Sequence, residues 1–81
     1  MTREEWARTF AGLDPEELGE AAIAMEEVAR RASNALDNGY DQAMRDLVVR
    51  GGLHDEPPTQ CRYERAGYQQ FARRLKEWRS G

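Results

Sequence analysis

Residues 13–39 read LDPEELGEAAIAMEEVARRASNALDNG, and this stretch decides the fold class. Asp14 stands where an N-cap is needed. Pro15 suits the first helical position, since its fixed φ and missing N–H cost nothing there, and Glu17 completes the capping box. Leu13 and Leu18 flank the cap as a hydrophobic staple. Leu18, Ala22, Met25, Ala29, Ala32 and Leu36 then recur at alternating spacings of four and three, flanked by Ala21, Val28 and Ala35. That period is helical. Glu26–Arg30 and Glu27–Arg31 lie one turn apart with the acid first, the favourable order. Asn38-Gly39 supplies a stop signal. The spacing predicts a helix over 15–38.

The flanking segments carry the same period. Thr2 and Glu5 form a second capping box, Trp6, Phe10 and Leu13 make one apolar stripe, and Gly12 is able to close the helix in the left-handed conformation, which gives a helix over 3–11. Downstream, Asp41 is placed to cap a helix over 41–50, with Tyr40, Ala43, Met44, Leu47 and Val48 on one face and Gly51-Gly52 behind it. Residues 51–60 hold two prolines and read as a loop. Tyr68, Phe71, Ala72, Leu75 and Trp78 mark a last helix over 61–79, although alternation at Thr59, Cys61 and Tyr63 leaves an extended piece at 59–64 open. Gly67 lowers helix propensity by about 1 kcal/mol and is a candidate kink. The fold class is all-α, a compact bundle of three to four helices. Helix 15–38 is expected as its spine, flanked by the first and last helices.

Eighty-one residues make one helical domain, 1–81. A chain this short buries about 60% of its unfolded surface, so stability should be about 4–12 kcal/mol. No run of about 18 apolar residues exists to span a membrane, and the N-terminal residues Met1 to Trp6 lack the apolar run of a secretory signal. The lone Cys61 has no internal disulfide partner. These features predict a reduced, cytoplasmic protein.

The net charge of −3 conceals a gradient. Residues 1–29 hold eight acids against two bases, and residues 61–81 hold six bases against two acids. Either the two ends attract each other within the fold, or one of them meets a charged partner.

No catalytic constellation is legible. Gly51-Gly52 is followed by Leu53-His54-Asp55 with no lysine, so it is not a phosphate loop. His54 and Cys61 are single, separated by a proline-containing loop, and read as an exposed histidine and a half-buried cysteine. With Asp55 and Glu56 they fall short of the four well-spaced ligands of a structural zinc site, so neither metal nor cofactor is expected. The acid pairs Glu16/Glu17 and Glu26/Glu27 face solvent or a helix N-terminus, where nothing raises a carboxyl into the range of acid–base work. The chain is expected not to be an enzyme.

Binding surfaces are more legible. Ile23 lies opposite the apolar stripe of helix 15–38, among Glu16, Glu20, Glu27 and Arg30, where nothing in a monomer would bury it. An apolar residue ringed by charge suits the centre of a polar-rimmed interface with a larger protein or complex. The carboxylates of that face could also mimic nucleic-acid phosphates. The alternative is a nucleic-acid-binding module using the basic edge Arg62, Arg65, Arg73 and Lys76, with Gln69 between them. Against it stand the acidic overall charge and, for a helix-turn-helix, the phosphate-repelling Asp41 and Asp46. The small-residue seam of helix 15–38 would also accept a second copy as a homodimer. In size and acid-rich helical makeup the chain resembles the small inhibitors and adaptors encoded by phages and mobile elements, anti-CRISPR proteins among them. That resemblance rests on no shared motif. It implies a non-enzymatic binding protein.

Overall fold

Asn34 splits in two the helix that the periodicity predicts over 15–38. The computed structural model describes residues 2–14, 16–31 and 34–80, apart from the side chains of Glu26, Val28 and Ala29. These residues form four helices: α1 Arg3–Ala11, α2 Leu18–Arg30, α3 Ala35–Arg50 and α4 Arg62–Ser80. Asn34 is extended, and its side-chain oxygen accepts from the Asp37 backbone N–H at 2.9 Å while its amide donates to the Asp37 carboxylate. This cap costs less than carrying α2 through an Asn that competes for backbone hydrogen bonds. The expected helix over 41–50 therefore begins six residues early and takes Leu36, Asn38 and Gly39 with it.

Other N-terminal signals hold. Thr2 caps α1 by accepting from Glu5 N–H, and Asp14 accepts from Glu17 N–H at 3.0 Å in the turn that leads into α2. Leu13 and Leu18, the two halves of the staple, both pack against the core. Pro15, Ala32, the Glu26–Arg30 pair and the Val28 and Ala29 positions of the stripe lie outside the described residues. Gly12 ends α1 in the right-handed region (φ −91°), not the left-handed one. Among the described residues Gly51 is the glycine with positive φ, at 79°, and it closes α3 as the Gly-Gly pair predicts. The segment before α4 is neither helix nor strand. Thr59 Oγ1 donates to Glu64 Oε2 at 2.6 Å and accepts from Cys61 N–H, and regular helix starts at Arg62.

The spine is α3 against α4, not α2. Its enabling feature is a pair of glycines whose bare backbones touch the opposite helix. A Cβ on Gly39 would stand 1.9 Å from the Glu64 carbonyl oxygen, and one on Gly67 would stand 2.1 Å from that of Leu36. Asn38-Gly39 therefore serves as a contact surface inside a helix, not as a terminator, and Gly67 marks a close approach instead of a kink. Around this crossing Tyr40, Ala43, Met44 and Leu47 of α3 meet Tyr68, Phe71 and Leu75 of α4. Tyr40 sets its ring edge-on to Phe71 (centroids 5.3 Å, 88°), and Phe71 does the same to Trp78. Both arrangements match the quadrupoles of the rings. On the other side of α3, α2 contributes Ala21 and Met25, and α1 closes the bundle with Ala7 and Phe10. Among the described residues α2 touches α3 and α1 but not α4.

Candidate functional site

The outward face of α2 stands as the sequence places it. Glu20, Ile23, Glu27 and Arg30 are all exposed, and Glu16 is exposed in the turn before the helix. Ile23 keeps 74% of its surface in solvent. Burial of Ala21 and Met25 toward α3 fixes this rotation, because residues two positions away on a helix point roughly the opposite way. Beside this face, α1 and α2 enclose a shallow groove of about 420 Å³, with half-buried Trp6 and Leu13 on one wall and Glu17, Glu20 and Ala24 on the other. Glu20 belongs to both features. Together they form an acidic strip with apolar centres.

The basic edge of α4 is less free than its spacing suggests. Arg65 reaches back to the loop, donating to the Pro57 and Thr59 carbonyl oxygens and pairing with Glu56 at 3.0 Å. Arg62 lies over the adjacent Tyr63 ring at 5.8 Å. Arg73 and Lys76 are exposed. The acidic front and basic back meet where Glu4 of α1 pairs with Arg74 of α4; beside it Arg8 of α1 covers the Trp78 ring, a cation–π contact.

Two polar groups lie where the sequence reading put surface charge. Asp46 is buried. Its carboxylate accepts from Tyr68 Oη at 2.6 Å and from the Gln42 amide at 3.0 Å. Tyr68 Oη in turn accepts from His54 N–H, so one buried hydroxyl ties the 51–61 loop to the spine. Burial, and then the bond to Asp46, push the Tyr68 hydroxyl up to about 12, so it stays protonated and acts as a donor. His54 Nε2 faces the same carboxylate at 3.8 Å, an ion-pair distance too long for a hydrogen bond. Cys61 is exposed, contrary to the half-buried position expected, and does not line the cleft that holds His54. Thus His54 and a carboxylate do meet, with the Tyr68 hydroxyl as third member and Cys61 outside the group.

Asp41 is no cap. It sits mid-helix in α3, 4% exposed, with Arg3 Nε 3.2 Å from Oδ1. Arg3 also pairs with Asp37 at 2.9 Å. Neither oxygen of Asp41 receives a hydrogen bond. Desolvation outweighs the Arg3 charge, and neighbouring Asp37 adds to it, so the carboxyl is pushed from an ordinary 3.8 to about 6. A mid-helix aspartate gives little sign of such burial. The available signal was Arg3 in the first turn of α1, a cation where the helix dipole favours acids.

Among the described residues, no group of three or more His, Cys, Asp or Glu is arranged to hold a metal ion. Nor is any described helix long and apolar enough to cross a membrane. No family model, curated protein or solved structure matches this chain.

Proposed function

We propose that this chain is a non-catalytic binding protein that occupies a surface of a larger protein or complex through the outward face of α2 and the turn before it: Glu16, Glu20, Ile23, Glu27 and Arg30. The observation that carries this reading is Ile23, stranded at 74% exposure within a charged face of a helix that, among the described residues, packs on α3 and α1 but not on α4. The partner surface that complements it is basic at the rim and has an apolar recess for Ile23, with a second apolar contact in the α1–α2 groove beside Trp6 and Leu13. Buried apolar side chains then supply the affinity, and the surrounding carboxylates supply orientation and encounter rate. An inhibitor or adaptor of the kind phages and mobile elements encode, anti-CRISPR proteins among them, is the finer form of this proposal. An exposed thiol at Cys61 suits action in the reducing cytoplasm.

The test is affinity capture from the native host with wild-type protein and the Ile23→Ser/Glu27→Ser double variant, with circular dichroism confirming equal helicity. Loss of the same specific companion in the variant supports the site, and undiminished capture rejects it. The second reading, nucleic-acid binding by Arg62, Arg65, Arg73 and Lys76, draws on the exposure of Arg62, Arg73 and Lys76, while Arg65 is already committed to the loop. It requires affinity for a generic duplex that falls steeply with salt, and no binding at low salt disposes of it.

A further inference from the structure

The 51–61 loop and the second half of α4 enclose a cleft of about 340 Å³. Leu53 of the loop lines it with Ala72, Leu75, Lys76 and Arg79 of α4. Leu75 is buried, Leu53 and Ala72 are half-buried, and the two bases are exposed. Helical spacing sets this order, because positions 72, 75, 76 and 79 fall on one face at steps of three, one and three. We propose that the cleft binds a small organic anion carried on a short apolar stem, the stem against Leu53, Ala72 and Leu75 and the head group on Lys76 and Arg79.

Both halves of the site are open to a ligand. Among the described residues neither Lys76 nor Arg79 has a carboxylate within ion-pair distance. Their long stems lie along apolar surface while the charged heads stay in water, so the cations reach an anion at the mouth of the cleft. Arg79 also sits in the last turn of α4, at the negative end of the helix dipole. That end carries about half a charge, which two full positive charges exceed. Asp55 is the acid among the described lining residues, so the bases stay in excess. The loop wall is already in place: His54 donates its N–H to Tyr68 Oη, which donates to buried Asp46. A preformed wall costs a ligand less ordering. Size then selects the occupant. Seven residues line the cleft, against roughly 20–30 a side for a protein–protein interface, so it fits a small molecule and not a folded partner. Its volume is at the low end for ligand sites, which keeps the stem short. The cleft shares no residue with the α2 face, so the two proposals stand or fall separately.

The experiment is a titration of the ¹⁵N-labelled chain at constant ionic strength, followed by amide shifts, with hexanoate, hexyl phosphate, butanoate, neutral hexanol and cationic hexylamine. Hexanoate and hexyl phosphate should give saturable shifts at Leu53, Asp55, Ala72 and Lys76 with dissociation constants on the order of 1 mM. The tighter of the two identifies the head group as carboxylate or phosphate. Butanoate should bind about tenfold more weakly than hexanoate, at roughly threefold per methylene lost from the apolar wall. Hexanol should bind at least about fivefold more weakly for want of the charge, and hexylamine more weakly still. Lys76→Gln/Arg79→Gln, both exposed positions, should weaken hexanoate about fivefold with helicity unchanged by circular dichroism. Asp55→Asn should strengthen it, an effect that a purely structural role for this rim would not produce. The proposal is overturned by absence of saturable shifts with both six-carbon anions well above that constant, by equal affinity for hexanol, by equal affinity for butanoate, or by unchanged affinity in the double variant.

Discussion

Gly39→Ala adds one methyl group, and the structure says where it goes. The new Cβ would stand 1.9 Å from the Glu64 carbonyl oxygen and within 3 Å of its carbonyl carbon and Cα as well. All three are backbone atoms inside α4, so no rotamer change relieves the clash. Reaching an ordinary contact of about 3.5 Å requires the helices to part locally by roughly 1.5 Å. A gap even smaller than that forfeits up to half of the dispersion energy of the atoms lining it, here Tyr40, Ala43, Tyr68 and Phe71. The cost should lie at or beyond the top of the usual overpacking range, about 3 kcal/mol or more. For a domain of this size that is a large part of total stability. Urea unfolding followed by circular dichroism measures it, with Gly19→Ala as the matched control. Gly19 is in α2 with nothing within 4 Å of a would-be Cβ, so that change should stabilise by about 0.5 kcal/mol. If Gly39→Ala unfolds within about 0.5 kcal/mol of wild type at an unchanged denaturant slope, the close crossing of α3 and α4 is wrong.

Asp41 gives a stability profile of definite sign. Its carboxyl is raised when folded, so the native state binds the proton more tightly, and stability is fullest below the unfolded pKa. It falls as pH climbs from about 4 through about 6, by about 3 kcal/mol in all, and is flat above. Asp41→Asn should match wild type in urea unfolding near pH 4 and exceed it by up to that amount above pH 7; a variant less stable at both ends contradicts this. Tyr68→Phe removes the donor to Asp46 and the acceptor of His54 N–H and should cost about 1–3 kcal/mol, with faster amide exchange at His54 as the local readout. Asn34→Ala should cost about 1 kcal/mol through loss of the α3 cap, visible in the same unfolding assay.

Much of the fold was readable because caps and apolar periods act locally. Thr2, Asp14 and Gly51-Gly52 operate within a few residues of chain, and the stripe Tyr68–Phe71–Leu75 buries as its spacing predicts. The Asn34 cap is a local signal that the longer apolar period masked, whereas the two glycines were misread for a common reason. Asn38-Gly39 carries the composition of a helix end and Gly67 that of a kink, yet both glycines answer to a helix far away in sequence whose arrival no local signal announces. The same holds for Asp41 and Asp46: each is polar and mid-helix, and only the positions of Arg3 and Tyr68 in space explain why they are inside. Of the candidate sites, the α2 face was fully legible, since exposure opposite an apolar stripe follows from period alone.

The lopsided attachment of α2 bears on how the molecule breathes. A helix braced by α3 and the short α1, with no footing on α4 among the described residues, should form an outer cooperative unit. Its amides should exchange with solvent through partial openings well below the global unfolding energy, while the α3–α4 pair exchanges only when the whole domain unfolds. A ligand clasping Ile23 would then suppress those openings, and slowed exchange confined to α2 would mark its footprint before any complex is crystallised.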